Sequence, residues 1–183
     1  RVRNLETYVL QLNKAISAQF FERYGDVQAF TRNEVFLSKN KNHMTQTLND
    51  YSNLYGIYNL IMYVDTDGHL ISVNNQGPDK AKINISKLYE MNFKDEQWFT
   101  DSMKENYTKD TQKGFNGTVF IPFINDSLVS DVYGIPRQTS LFAAPVKDRD
   151  GKIIGVICNR AHSKWFIDEL NNLKQELGKE NWA

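Results

Sequence analysis

Two stretches of the chain repeat one pattern of apolar and polar positions. Residues 60–73 form two apolar runs around an Asp-Thr-Asp-Gly turn that ends at Gly68, and residues 141–157 form two such runs around an Asp-Arg-Asp-Gly turn that ends at Gly151. Apolar, β-branched runs on both sides of a turn whose glycine can adopt a positive φ are typical of β-hairpins. We therefore predict two hairpins that belong to one antiparallel sheet.

Helical periodicity precedes the first hairpin. Between about residues 4 and 31 the apolar side chains recur at steps of three and four, so they share one face of a long amphipathic helix. Gly25 is a position at which this helix could bend or end. A second helix is predicted over residues 33–55, with Gly56 as its stop.

The segment between the hairpins has mixed character. Residues 74–79 are predicted to form a loop because they are rich in Asn, Gly and Pro. Residues 86–106 are predicted to be partly helical, with Asp95 placed to cap a short helix near Glu96. Residues 118–124 form a β-rich run, which predicts a further strand.

The remaining segments complete an α+β order of elements. Residues 128–133 are predicted to form a short strand or an extended loop. After the second hairpin, apolar residues step by four, three and four from Ser163, a possible cap, which predicts an amphipathic exit helix. We divide the chain into an N-terminal helical region (residues 1–56), a sheet core (57–162) and a C-terminal exit helix (163–183).

Composition excludes several classes of function. The 183 residues are 40% hydrophobic, enough for the core of one domain. Twenty-two basic residues balance twenty-two acidic ones, so no overall field favours nucleic acid as a partner. No apolar run approaches the ~20 residues needed to cross a bilayer. The chain begins and ends within helix-like patterns, as expected of a segment of a longer protein.

No catalytic or metal motif is recognisable. The acidic turns lack the EF-hand glycine and glutamate, so their aspartates are expected to bond their own backbone. Cys158, the lone cysteine, lies in an apolar strand and is expected to be a buried structural thiol. Along an extended strand His162 would lie about 13 Å from it, too far to take its proton. We predict no catalysis, no metal site and no cofactor.

Several motifs in order resemble the Cache sensor domains. They are residues 57–73 with the Asp-x-Asp-Gly turn, Gln97-Trp98-Phe99, Val132-Tyr133-Gly134, residues 142–146, and residues 150–159 ending at Asn159. Cache domains form the extracytoplasmic part of bacterial methyl-accepting chemotaxis receptors and of some histidine kinases. The resemblance implies a single PAS-like module, with a five-stranded antiparallel sheet between a long N-terminal helix and an exit helix.

Candidate ligand-binding residues are mostly aromatic, since small-ligand pockets are mostly apolar with a few placed polar groups. Trp98 and Phe99 are expected to form a wall, with Asp131 supplying a negative charge and Tyr133 a hydroxyl for an ammonium group. The alternative is that Trp98 and Phe99 are core residues and Asp131 is a loop acid. The predicted set is completed by Tyr63, Phe115, Phe120 and Arg137.

One departure from the family pattern affects the expected ligand. In Cache domains that bind amino acids, the resemblance implies an arginine two residues before the tryptophan, and here that position is Glu96. A glutamate repels a ligand carboxylate. Arg137 or Lys113 would have to replace the arginine, or the ligand is an amine or a neutral molecule. By the same resemblance, the aspartate that holds a ligand amine lies near Asp131.

Together these features predict the periplasmic ligand-binding domain of a transmembrane chemoreceptor. A small molecule (amine, amino acid or organic acid) would shift the exit helix, and the N-terminal helix would form a homodimer. Membrane contact would come through flanking segments. The alternatives are the same sensor on a histidine kinase or a cyclic-nucleotide enzyme, and a cytoplasmic PAS-like module that holds a cofactor or a protein partner.

Overall fold

A computed structural model describes residues 2–180, with side chains described for residues 6–7, 9–176 and 178–179. In chain order the elements are α1 (Val2–Thr31), a 3₁₀ helix (Glu34–Leu37), α2 (Lys41–Tyr55), β1 (Tyr58–Asp65), β2 (Leu70–Val73), a second 3₁₀ helix (Ser86–Glu90), α3 (Gln97–Met103), β3 (Val119–Asn125), α4 (Ser127–Tyr133), β4 (Gln138–Lys147), β5 (Ile153–His162) and α5 (Lys164–Glu180). None of the helices described is both long and apolar enough to cross a membrane.

All five strands form one antiparallel sheet in the order β2-β1-β5-β4-β3. The predicted hairpins are β1–β2 and β4–β5, and they join through the pairing of β1 with β5. Cys158 in β5 lies between Met62 of β1 and Ala143 of β4. The prediction that both hairpins share one sheet is confirmed.

The two hairpin turns have the same local structure. Asp65 Oδ1 accepts hydrogen bonds of 2.9 Å from the backbone N–H groups two and four residues later, and Asp148 Oδ1 does the same. Gly68 and Gly151 have φ of 84° and 83°, a region that glycine occupies without steric cost. The turn aspartates therefore bond their own backbone, as predicted.

The N-terminal helical region differs from the prediction in two places. Helix α1 continues past Gly25 without a break. The predicted second helix, over residues 33–55, was wrong in its first part, because a 3₁₀ helix precedes α2 there. Asn40 caps α2 by accepting a hydrogen bond of 3.0 Å from the backbone N–H of His43. Gly56, with φ of 75°, ends α2 as predicted.

Two predictions on the far side of the sheet are corrected. Residues 128–133 belong to helix α4 and not to a strand, because Asp126 caps the helix by accepting a hydrogen bond of 3.2 Å from Val129 N–H. Asp95 does not cap α3. The cap position is Glu96, whose side chain makes no capping bond.

The two faces of the sheet carry separate cores. Helices α1, α2 and α5 cover the first face, which we call the helix face. The 3₁₀ helix at Ser86–Glu90 and helices α3 and α4 cover the second, the loop face. The helix-face core includes Tyr24, Val27, Phe30, Phe36, Leu48, Tyr58, Ile61, Phe142, Ile157 and Trp165. The loop-face core includes Leu60, Met62, Leu88, Phe93, Trp98, Val129, Leu141, Val156 and Cys158.

Candidate functional site

The predicted site residues do not converge on one place. Tyr63, Phe115 and Phe120 lie on the helix face, where they pack with the core beneath α1. The ring centroid of Phe20 in α1 lies 5.1 Å from that of Phe115 and 4.8 Å from that of Phe120. These three predicted residues are therefore separated by the sheet from the others.

Trp98 and Phe99 are core residues of the loop face. Trp98 is only 1% exposed, and its ring centroid lies 5.9 Å from that of Phe93 and 6.1 Å from that of Phe99. Its indole Nε1 is buried and has no hydrogen-bond partner among the described residues. Trp98 lines neither of the two cavities described below, which agrees with the alternative that it is a packing residue.

Asp131 lines a cavity of about 220 Å³ between helix α4 and the 3₁₀ helix at Ser86–Glu90. The buried side chain of Leu88 connects this cavity to the loop-face core. Lys87 also lines it, so the cavity contains one carboxylate and one ammonium group. Its full lining is Asn84, Lys87, Leu88, Met91, Ser127, Leu128, Asp131 and Val132. We refer to it as the Asp131 cavity.

Helix α4 presents different residues to three surroundings. One face of α4 lines the Asp131 cavity. This face carries residue 127 and the residues one, four and five positions after it, which are 128, 131 and 132. Val129 is fully buried in the loop-face core. Tyr133 donates a hydrogen bond of 2.7 Å to the backbone carbonyl of Asn59 in β1. A movement of α4 would therefore alter its contacts with the sheet.

Tyr133 and Arg137 lie together in a second cavity. Arg137 Cζ is 5.6 Å from the centroid of the Tyr133 ring, within the range of a cation–π contact. Burial, assisted by the charge of Asp79, raises the pKa of Tyr133 to about 12. The sequence prediction placed Asp131, Tyr133 and Arg137 in one site, whereas Asp131 lines a different cavity from the other two.

A buried ion pair connects α4 to the sheet. Asp126 and Arg160 are only 2% and 5% exposed. Asp126 Oδ2 accepts hydrogen bonds of 2.9 Å from Arg160 Nη1 in β5 and 2.6 Å from Thr139 Oγ1 in β4. Because Asp126 also caps α4 through Val129, one carboxylate connects three elements.

Two groups of reactive side chains, Cys158 and the acidic turn at Asp65, lie among the described residues. Burial raises the pKa of Cys158 to about 12, so its thiol is a poor nucleophile. Asp65, Asp67 and His69 lie close enough to share a cation, but they are surface groups of a turn in which Asp65 already accepts two backbone hydrogen bonds. Exposed acidic turns of this kind are common without an ion.

Sequence reasoning missed several residues that build the site. Nothing in the pattern of residues 86–90 distinguishes Lys87 from a solvated lysine. Asp126 had a usable signal, because an aspartate before apolar residues at helical spacing predicts an N-cap. Arg160 also had one, since a charged residue inside an apolar strand requires a buried partner.

No protein-family model matches the sequence, and the search of curated proteins found no match. Solved structures do match. The five-stranded sheet with its flanking helices has the fold of bacterial ligand-binding sensor domains, which confirms the predicted PAS-like, Cache-type fold. These neighbours are sensor domains and not enzymes.

Three of the matching structures define the comparison. The sensor domain of the histidine kinase DctB from V. cholerae has a TM-score of 0.65 and 12% identity, over 91% of this chain and 58% of that chain. The ligand-binding domain of the Campylobacter jejuni chemoreceptor Tlp3, solved with 4-methylisoleucine, has a TM-score of 0.65 and 14% identity, over 91% and 60%. The ligand-binding domain of the Pseudomonas aeruginosa amino acid chemoreceptor PctC, solved with GABA, has a TM-score of 0.63 and 10% identity, over 92% and 66%. This chain therefore spans roughly three fifths of the length of the solved structures it matches.

Proposed function

We propose that this chain is the ligand-binding domain of a transmembrane chemoreceptor, that it lies on the periplasmic side, and that it binds a small amine or amino acid without catalysing a reaction. The observation that carries the proposal is the Asp131 cavity, which is lined by the acidic Asp131, the basic Lys87 and the buried, apolar Leu88. The fold supports the sensor assignment, because the solved neighbours include ligand-binding domains of chemoreceptors.

The chemistry of the Asp131 cavity fits a zwitterion. Asp131 is placed to pair with a ligand ammonium group and Lys87 with a ligand carboxylate, while Leu128 and Val132 offer apolar contact. Charge-assisted hydrogen bonds of this kind are about twice as strong as neutral ones. At about 220 Å³ the cavity is smaller than the ~300–1,000 Å³ of drug-sized sites, which favours a ligand of amino-acid size.

Helix α4 provides a route from the ligand to the exit helix. A ligand that binds Asp131 displaces α4. The cap residue of this helix, Asp126, accepts a hydrogen bond from Arg160 in β5. Strand β5 ends at His162 and α5 begins at Lys164, so a shift of β5 is transferred directly to α5. The ligand can bias this movement only by its difference in affinity for the two arrangements, typically ~1–3 kcal/mol.

A thermal-shift screen followed by calorimetry tests the Asp131 cavity. The probes are L-isoleucine, L-serine, GABA and putrescine, and a compound at one hundred times its Kd should add about 2.7 kcal/mol to the free energy of unfolding. We expect Asp131→Asn to weaken binding of an active probe by about ten-fold or more, since it removes a charged hydrogen-bond acceptor. Lys87→Gln should weaken binding of a zwitterionic probe and leave the affinity for putrescine unchanged.

Matched controls use the second hairpin turn. Asp150→Asn and Lys152→Gln change exposed side chains of the same types outside the cavity, and both should bind like the wild type. Equal affinity of Asp131→Asn and Asp150→Asn for an active probe would remove Asp131 from the site. The absence of any response to the four probes would reject this ligand class.

A homodimer through α1 is part of the proposal. Leu10 and Phe21 of α1 are 56% and 55% exposed, although they are large and apolar. We expect Leu10→Glu to weaken self-association in sedimentation velocity experiments. Leu54→Glu, which alters a more exposed leucine (78%) on α2, is the control. Sedimentation of the wild type as a monomer at all concentrations would contradict the dimer.

A histidine kinase is the second candidate for the output. It is favoured by the match to the DctB sensor domain, whose TM-score of 0.65 equals that of the Tlp3 domain. Phosphotransfer assays and chemotaxis assays with the whole receptor would decide between a kinase output and a chemotaxis output.

A further inference from the structure

The second cavity, of about 330 Å³, lies at the junction of β5 and α5. It is lined by Gly56, Asn59, Pro78, Asp79, Tyr133, Arg137, His162 and Lys164. Two permanent cations, Arg137 and Lys164, face one carboxylate, Asp79, and Asp168 of α5 is also close enough to influence His162. Apart from the imidazole, the cavity lining therefore carries an excess of positive charge.

Two buried polar atoms of this cavity have no hydrogen-bond partner among the described residues. They are the side-chain carbonyl Oδ1 of Asn59, a residue only 4% exposed, and Nε of Arg137. A buried donor or acceptor left unpaired costs about 1–3 kcal/mol. One atom is an acceptor and the other a donor, and both belong to residues that line the cavity.

His162 carries a conflict that an anion would remove. Its Nδ1 accepts a hydrogen bond of 2.9 Å from the backbone N–H of Lys164, and its Nε2 lies 2.9 Å from Nη1 of Arg137. A neutral imidazole has one N–H and one acceptor nitrogen, while a guanidinium has donors only. If Nε2 carries the hydrogen, it faces the donor Nη1 of Arg137; if Nδ1 carries it, it faces the N–H of Lys164. Protonation of the ring makes both contacts unfavourable.

We propose that this cavity is a second ligand site, which binds a small carboxylate between Arg137 and His162 Nε2 and thereby selects the histidine tautomer that caps α5. With a carboxylate oxygen in place, Nε2 donates its hydrogen to the anion, and Nδ1 remains free to accept from Lys164 N–H. The first turn of α5 then gains an uncontested cap. The site is separate from the Asp131 cavity and does not depend on it.

The electrostatics agree with this arrangement. Burial, followed by the charges of Arg137 and Lys164, lowers the pKa of His162, and Asp168 opposes the effect. The ring is therefore neutral at physiological pH, as the tautomer argument requires. A bound carboxylate adds a negative charge beside Nε2 and should raise the pKa of His162.

The test follows the histidine ring nitrogens by ¹⁵N NMR as sodium lactate and sodium succinate are added, with sodium chloride at equal ionic strength as the reference. We expect at least one carboxylate to move His162 toward the Nε2–H tautomer and to raise its pKa. His43 and His69, which are exposed elsewhere, should not respond and serve as internal references. Arg137→Gln should weaken binding of the carboxylate by about ten-fold.

Three controls keep the result interpretable. Arg149→Gln removes an exposed arginine and should bind like the wild type. Lys164→Gln alters an exposed side chain, so this variant should fold even if Arg137→Gln does not. We expect it to bind the carboxylate about two- to five-fold more weakly than the wild type. Asp131→Asn should leave the carboxylate response unchanged, which separates this proposal from the amine site.

Three results would overturn the proposal. They are an equal response of His162 to chloride, no response to either carboxylate, and unchanged affinity in Arg137→Gln or, if that variant fails to fold, in Lys164→Gln.

Discussion

The two faces of the sheet are held by different kinds of contact. On the helix face aromatic rings dominate, and Phe20 of α1 lies 5.1 Å from Phe115, 4.8 Å from Phe120 and 5.9 Å from Phe142 between ring centroids. The loop face has mainly aliphatic side chains around Trp98, together with a buried ion pair and the Asp131 cavity. The helix face is covered by the longer helices α1, α2 and α5, and the loop face is covered by short helices.

This difference in contacts predicts that the two faces differ in rigidity. Interdigitated rings resist displacement because interiors are close-packed, so we expect α1 and the sheet to move together. The short helix α4 is connected to the sheet by directional hydrogen bonds at Asp126 and Tyr133. Directional contacts can exchange between discrete arrangements, which suits the loop face for responding to a ligand.

Each face also contains an ion pair. Among the substitutions considered, neutralising the aspartate of each pair should give the largest difference between the faces in the free energy of unfolding. Asp126→Asn leaves the buried Arg160 without a counter-charge, so we expect a loss of about 3–5 kcal/mol in the free energy of unfolding. Asp26→Asn affects a pair with Arg23 whose side chains keep 12% and 13% of their exposure, and an asparagine can still accept the hydrogen bond from Tyr58, so we expect a smaller loss than at Asp126. Urea denaturation measures both. Equal losses would show that the faces do not differ in this respect.

The two hairpin glycines provide a second test, with a smaller effect. Both have positive φ, so alanine should cost about 1–2 kcal/mol at either position. At Gly68 the added Cβ would also stand 2.8 Å from Lys94 Cα and against Lys94 N, whereas at Gly151 it meets nothing. We expect Gly68→Ala to cost about 1–3 kcal/mol more than Gly151→Ala in thermal unfolding. Equal melting temperatures would mean that the backbone at Lys94 yields easily.

A pH titration sharpens the ion-pair comparison with the smallest expected effect. Burial raises the pKa of Asp26, against the hydrogen bond from Tyr58 and the charge of Arg23. The folded state therefore binds this proton more tightly than the unfolded state. The resulting stabilisation is fully present below the unfolded pKa of about 3.9 and is lost as pH rises through the raised folded value.

The wild type should thus gain stability relative to Asp26→Asn as the pH falls from about 7 toward 4. Urea unfolding of both proteins across this range measures the difference. A constant difference would contradict the raised pKa of Asp26.

Much of the fold could be predicted from local pattern, and the errors have identifiable causes. The Asp-x-Asp-Gly turns were predicted because their hydrogen bonds lie within five residues. Helix α4 was mistaken for a short strand or an extended loop because the capping signal at Asp126 was not used. The break before α2 was missed because Asn33 and Asn40 each cap a separate helix, and helical periodicity alone does not show a cap.

The site was less predictable than the fold. Trp98 and Asp131 are both candidates from composition, but the side of a helix that faces a cavity depends on the packing of elements far apart in the chain. The prediction grouped Asp131 with Arg137, and the structure assigns them to different cavities. Asp131 and Lys87 line one cavity only because α4 packs beside a 3₁₀ helix some forty residues earlier.

The amino-acid sequence by itself determined the elements whose energetics are local: the long α1, the two hairpins, the end of α2 at Gly56 and the exit helix. Backbone hydrogen bonds within a few residues, together with apolar periodicity, are sufficient for these. Only the tertiary structure decided the pairing of β1 with β5, the burial of Asp126 against Arg160 and the contact of His162 with Arg137. Such contacts join residues 25 to more than 90 positions apart, and their geometry follows from how whole layers pack rather than from any short segment.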